Sequence, residues 1–301
     1  MSTSFLGARK KRLSLGKLGA WIFLGFMLFV SLFPVFWMLR TALSPNMNLF
    51  SSELDLFPDG MSLNNFKRIL GFSTLEEAQA MGGSGASLNF LLYLWNSLKF
   101  TGAIVFGTVT FAVFAGYALA RLNFRGRNAI FFILMSGLLV PSMFATIPNF
   151  ILILKLNLLN TFAGSILPFV FGTPFAVFFM RQFFISFPKE IEEAAELDGL
   201  GVFGRLRKIV IPMSLPPIFT LALITGVAAW NEYLWPYLVA NDENQRVLTV
   251  GLRIFLAQAP STAPDWAGLM AATTMTIIPV IIILAIFGKK MIGSIQMAGF
   301  K

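Results

Sequence analysis

The chain has 301 residues, of which 56% are apolar and only 12% charged, with a net charge of +9, 34 Phe and neither Cys nor His. Soluble domains carry about 25% charged residues, so this is the composition of an integral membrane protein. The missing thiols and imidazoles exclude disulfides, thiol chemistry, His- or Cys-ligated metal sites and the usual catalytic triads. In such a chain the excess of Lys and Arg marks cytoplasmic loops and not a nucleic-acid surface. No cofactor and no nucleic acid are expected; lipid is the solvent.

A membrane helix needs about 20 apolar residues, and six runs free of Asp, Glu, Lys and Arg qualify. They are Leu18–Leu39, Phe100–Ala120 (starting as early as Leu88), Asn128–Leu154, Leu156–Met180, Ile209–Asn231 with a continuation past Glu232 towards Asn241, and Trp266–Gly288. The expected architecture is all-α with six transmembrane helices. Residues 1–17 form a basic N-terminus, 18–43 the first span, 44–87 an extracytoplasmic loop, 88–288 the core domain with the remaining five spans and 289–301 a cytoplasmic C-terminal tail. The apolar run after the basic N-terminus is too long for a signal-peptide core, so it reads as a retained span. Six spans place both ends on one side. With the N-terminus, the second-to-third connection, the fourth-to-fifth connection and the C-terminus inside, 16 of the 23 basic residues are cytoplasmic, which predicts an N-in, C-in chain.

The outer segment Ser44–Ser87 is long and polar, with helices predicted over Ser62–Leu70 and Thr74–Met81 joined by flexible Gly-rich turns. Residues Lys155–Asn160 read as a tight turn and Asn241–Pro264 as a loop. Pro34, Pro141, Pro148, Pro168, Pro174, Pro236 and Pro279 fall inside the apolar runs. They fit either ordinary membrane-helix composition or bent helices lining a pathway.

One segment does not belong in hydrocarbon. From Lys189 to Lys208, nine of twenty residues are charged, and apolar runs flank it. Ionised groups there would each cost several kcal/mol in the bilayer, so Pro188–Pro217 is a folded loop in water. Pro188 suits a helix start. Glu190, Glu192 and Glu193 complement the positive end of the helix dipole. Ile191, Ala194, Ala195 and Asp198 fall at helical spacing on one face, where the alanines allow another backbone to come close. Gly199 is placed to end the helix in a left-handed cap. A second helical segment, about Val202–Val210, ends in Arg205, Arg207 and Lys208, and Pro212, Pro216 and Pro217 open the next span. The bland alternative is a helix lying on an anionic membrane surface; it fits the basic end but not the acidic first helix.

The spacing Glu193-Ala194-Ala195, three residues, Gly199, nine residues, then Ile209-x-Ile211-Pro212 resembles the EAA loop of ATP-binding-cassette importer permeases, with Ile211 where that family usually has Leu. AGYALARLNFRGR (Ala115–Arg127), MRQFFISFPKEIEEAAELDG, WNEYLWPYLVAND (Trp230–Asp242), LTVGL and WAGLMAATT are similar to the carbohydrate-uptake, maltose-transporter type. The resemblance covers most of the chain beyond Asn96. It implies a non-catalytic subunit that works with a second, different permease chain, two ATP-hydrolysing subunits and an extracytoplasmic solute-binding protein to import a sugar or oligosaccharide. It also implies coupling roles for Glu193, Ala194, Ala195, Asp198, Gly199, Ile209 and Pro212. There is no GxxxxGK[ST] phosphate-binding loop, so ATP hydrolysis belongs to a separate chain.

Glu232 is the lone acid within a predicted span, and beside it stand Trp230, Asn231 and Tyr233. These residue types fit a sugar path, with aromatics to stack on rings and Asn to hydrogen-bond hydroxyls. They fit equally an internally paired acid flanked by interfacial aromatics. A self-contained secondary transporter of a small polar solute is the alternative function; it would want more mid-membrane charge and an inverted repeat. A membrane-embedded enzyme has almost no chemistry to draw on.

Overall fold

The computed structural model describes residues 15–50, 56–57, 60–80, 82–84, 86, 88–171, 173–258 and 264–298. The basic cluster Arg9–Arg12, the end of the second outer helix at Met81 and the terminal Lys301 lie outside the described residues. Among those described there is no β-strand. The helices are α1 (Leu15–Leu43), α2 (Asn64–Ile69), α3 (Leu75–Ala80), α4 (Phe90–Arg121), α5 (Arg127–Ser136), α6 (Ser142–Lys155), α7 (Phe162–Val170), α8 (Pro174–Ser186), α9 (Lys189–Leu197), α10 (Val202–Arg205), α11 (Ile211–Met213), α12 (Leu215–Trp230), α13 (Leu234–Val239), α14 (Leu248–Gln258) and α15 (Trp266–Ala298). A π-helical turn, Leu206–Val210, joins α10 to α11.

Three helices are single pieces long and apolar enough to cross a membrane: Gly16–Leu43, Phe90–Arg121 and Trp266–Ile286. The third predicted span is not one helix, because α5 and α6 meet at 102°. Pro141 causes the break. It lacks an N–H and drives the residue before it out of the helical region, and Val140 is accordingly extended at ψ 114°. The fifth span begins later than expected. Val202–Met213 lies at 77° to α12, so the residues from Ile209 to Met213 belong to the approach and not to the span. At its far end α12 stops at Trp230, and the continuation towards Asn241 is the separate short helix α13. Of the seven prolines, Pro34, Pro148, Pro168 and Pro279 sit inside helices, Pro141 and Pro174 lie at helix starts, and Pro236 is in the first turn of α13. The loop Asn241–Pro264 contains an apolar helix, α14, that buries Leu248, Val250, Gly251 and Phe255.

At 32 residues, α4 runs about 48 Å and organises the bundle. One end buries Tyr117 with Met180, Phe184, Leu206 and Val210. The other buries Phe90 and Tyr93 with Ile69, Leu248 and Phe255. Gly116 lets α8 cross α4 closely: a Cβ there would lie 2.9 Å from Met180 Cβ and 3.0 Å from the Arg181 nitrogen. By contrast α1 is apolar all round and keeps Trp21, Ile22, Phe23 and Phe29 exposed, as a helix solvated by lipid does.

Among its described residues, the 44–87 segment is helical in two places and anchored to the bundle. The expected helices are α2 and α3, and Thr74 and Glu77 form a reciprocal capping box at the start of α3. Asn65 donates to the carbonyls of Ala42 and Ser44. Asn46 donates to Gly82 O and accepts from Ala267 N. Arg68 reaches Asp265, just before α15, with both guanidinium arms.

Candidate functional site

The charged island folds as two helical pieces at the end of the bundle where α4 finishes. Lys189–Leu197 is amphipathic, with Glu190 and Glu192 in its first turn. It ends as the sequence requires. Gly199 takes φ +82°, its N–H donates to Glu196 O at 2.9 Å, and Leu200 N–H donates to Ala195 O at 3.0 Å. That pair of bonds is a Schellman ending. A Cβ on Gly199 would meet nothing within 4 Å, so the glycine is required for its backbone conformation and not for space. Arg205 on α10 pairs with Glu196 on α9, fastening the second piece to the first.

The two alanines do not share a face. Ala195 is buried against the bundle with Glu192, and Ile191 packs on the core beside them. Ala194 is exposed with Glu193 and Asp198, and Leu197 is 90% exposed. Neighbouring residues on a helix point about 100° apart, so a single smooth Ala-Ala face cannot form; one methyl seats α9 on its own chain and the other looks outward. Ile209 is half-buried on the core, while Gly199 and Pro212 are exposed. Thus Glu193, Ala194, Leu197 and Asp198 form the outward surface of α9, and Ala195 and Ile209 hold the loop on the bundle.

Glu192, Tyr117 and Arg121 form a buried polar contact that the sequence reading missed. Tyr117 Oη donates to Glu192 Oε2 at 2.8 Å. Arg121 Nε lies 3.0 Å from Glu192 Oε1. Neither of those two atoms has an aligned hydrogen bond, so this contact is an ion pair. Arg121 Nη2 also donates to Phe187 O, at the end of α8. Tyr117 and Arg121 stand four residues apart and so share one face of α4, a spacing visible in the sequence. Their partner across the bundle was not.

At the opposite end of α12 the four path candidates separate. Trp230 lines an apolar groove of about 350 Å³ with Leu98, Gly102, Val105, Gly226 and Ile283. Asn231 is exposed and donates to Val227 O of its own helix. Tyr233 stacks on Tyr237 at 5.4 Å. Glu232 lies in the break between α12 and α13, where its Oε1 accepts from Trp235 N–H at 3.1 Å and so caps α13. It also borders a separate cavity of about 190 Å³ lined by Ile104, Thr108, Phe169, Thr173, Ile224 and Thr225. Among the described residues no group of three or more His, Cys, Asp or Glu is placed to hold a metal.

An apolar helical bundle with an exposed, charged two-helix element at one end is the build of a membrane-embedded subunit. Residues 108–291 match the family of binding-protein-dependent transport system inner membrane components, and the chain belongs to that family. It is 30% identical, over 92% of its length and 93% of the relative's, to the arabinooligosaccharides transport system permease protein AraQ of Halalkalibacterium halodurans. It is 32% identical over 85% of its length and 88% of the relative's to the sn-glycerol-3-phosphate transport system permease protein UgpE of Salmonella typhi. The fold matches, with a TM-score of 0.77 at 23% identity over 95% of this chain and 99% of the other, a chain in the crystal structure of a bacterial ABC transporter that imports the acidic polysaccharide alginate. The chain is therefore a non-catalytic, multi-pass permease subunit of an ABC importer in the inner membrane.

Proposed function

We propose that this subunit carries a sugar or oligosaccharide, handed over by an extracytoplasmic solute-binding protein, and that 188–217 is the loop through which separate ATPase subunits drive it. The observation that carries this reading is the outward surface of α9. Glu193, Ala194, Leu197 and Asp198 present a small, half-apolar, half-acidic face to water, and a Schellman turn holds it at a fixed angle. Glu193 is the charged contact, Ala194 the close-approach position, and Gly199 the fixed corner. Ala195 and Ile209 hold the loop's attachment to the bundle, and Pro212 starts the last turn before α12.

In this reading α5 with α6 and α7 with α8 each make one bent span, and α12 alone is the fifth. That gives six spans with both termini cytoplasmic, the 44–87 segment outside, the core in 88–288 and a cytoplasmic tail in 289–301. The positive-inside count supports the orientation. The second permease is a different homologous chain, and two ATPase copies dock on the pair. Relatives whose names state oligosaccharide cargo support the substrate class. Glu232 has a capping role, and Gln supplies the same acceptor, so Glu232→Gln is expected to leave uptake and stability unchanged; tenfold loss of uptake in a stable variant would put Glu232 on the substrate path.

Copurification tests the whole reading. The chain should bring down an ATPase and a second permease from its native membrane, and uptake in proteoliposomes should require both, ATP and a binding protein. Uptake by the purified chain alone, driven by an ion gradient, would instead identify a secondary transporter.

A further inference from the structure

We infer, building on the docking role assigned to 188–217, that Tyr117, Glu192 and Arg121 form a strut through which α9 drives α4, and that all three are positioning residues for transport.

Apolar contacts between α9 and the bundle are non-directional, and a helix held by them alone can slide or roll. Ile191 and Ala195 supply contacts of that kind. The polar contact is different. Glu192 is buried, one carboxylate oxygen receives the Tyr117 hydroxyl and the other faces the Arg121 guanidinium. Tyr117 and Arg121 sit on the last turns of α4, so both bonds pull on one rigid rod about 48 Å long. The same guanidinium donates to Phe187 O, and the Tyr117 ring meets Phe184 edge-on at 5.8 Å. The end of α8 is thus held in the joint too. A push on the outward face of α9 must therefore turn α4 and α8 with it or break a buried charge contact. Packed, directional interfaces of this kind shift between discrete arrangements and do not deform smoothly.

A strut and a mere folding contact differ in what happens when the ATPase moves. The chain has no Cys, so Glu190→Cys on α9 and Trp95→Cys near the outer end of α4 can be spin-labelled cleanly in the assembled transporter with cysteine-free partners. The interlabel distance distribution is read without nucleotide and after trapping with ATP and orthovanadate. In the otherwise native chain it should be the same in both states, because α9 and α4 travel together. In Glu192→Gln, and to a smaller extent in Tyr117→Phe, it should at least double in width or shift on trapping while ATP hydrolysis continues. The double variant should behave like Glu192→Gln alone. A distance that changes on trapping in the native chain, or stays fixed in both variants, overturns the strut. So does loss of the ATPase from both variant complexes, which would make the contact a folding element. Failure of the native chain to retain any ATPase would sink the docking role itself and is seen before any label is read.

Discussion

The two ends of the bundle are each fastened by one buried guanidinium–carboxylate pair, and the pairs are built differently. At the outer end Asp265 is completely buried and its oxygens are saturated. Oδ1 accepts from Arg68 Nη2 at 2.8 Å and Gly268 N–H at 2.9 Å, while Oδ2 accepts from Arg68 Nη1, Ser84 N–H at 2.8 Å and Ser84 Oγ at 3.0 Å. At the end that carries 188–217, Glu192 receives one hydroxyl and one ion contact, and its Oε1 has no aligned donor. A saturated carboxylate has a single geometry and makes a clamp. An under-satisfied one depends on each of its few partners, so a single substitution can undo the contact. The 44–87 segment is thus a fixed cap on the start of α15, and the proposed docking loop 188–217, held by the strut, is the end that would move with the ATPase.

The largest expected effect tests the clamp. Asp265→Ala leaves Arg68 buried without its partner and removes the acceptor for Ser84 and Gly268, a loss of about 3–5 kcal/mol. Thermal unfolding in detergent should show it, together with faster proteolysis of the 44–87 segment. If the variant is as stable as the native chain, the cap is not anchored there. The pH dependence sharpens the same point. Burial on its own raises the Asp265 pKa, but the Arg68 guanidinium and the Gly268 and Ser84 N–H groups outweigh it and hold the carboxyl below its usual value. A depressed folded-state pKa contributes stability that is fully present above the unfolded value of about 4 and is lost as pH falls through the folded one. Stability should therefore be flat in this respect from pH 7 to pH 5 and decline only below about pH 4. Asp265→Asn should lack that part of the acid transition.

The corner of the docking loop comes next. Gly199→Val puts a β-branched residue at φ +82°, a strain of about 1–3 kcal/mol. The left-handed turn sits in water at the tip of the loop, so the loss should be local. Membrane insertion and the thermal transition of the cap should be unchanged while uptake fails. A Gly199→Val chain that transports normally would remove the fixed corner from the mechanism, and one that unfolds the cap would erase the separation between the two ends.

The two ends were unequally legible in the sequence. Residues 188–217 announced themselves because charge is conspicuous in an apolar chain, and local rules sufficed for much of the loop: acid in the first turn, Gly at the left-handed cap. Facial assignments were less reliable. Ala194 and Ala195 looked equivalent in the sequence, but which one turns inward depends on where the bundle sits. Glu192 was counted as a helix-dipole charge, since its burial exists only once α4 is alongside. The outer cap was harder still. Arg68 and Asp265 are 197 residues apart, and no local pattern joins them. Asp265 before an apolar run is an N-cap signal that could have flagged the start of α15. The break at Val140–Pro141 had a local cause, but an unbroken apolar run concealed it, because composition reports solvent and not direction.

The smallest expected effect concerns the third ion pair, and it separates fastening from function within the docking loop. Arg205 is mostly buried, whereas Glu196 is 66% exposed. Water screens such a pair, so Glu196→Gln should cost about 0.2–1 kcal/mol and leave the cap's thermal transition unmoved. The Arg205 guanidinium would remain against α9, with Gln offering a neutral acceptor in the same place. If α10 follows α9 mainly through the Schellman turn and the buried Leu206 and Val210, coupling should survive, and uptake per ATP hydrolysed should match the native chain. A fall in that ratio without loss of stability would show that the pair between the two loop helices transmits force. The strut would then extend from Glu192 to Arg205, and the under-satisfied carboxylate would be only one part of it.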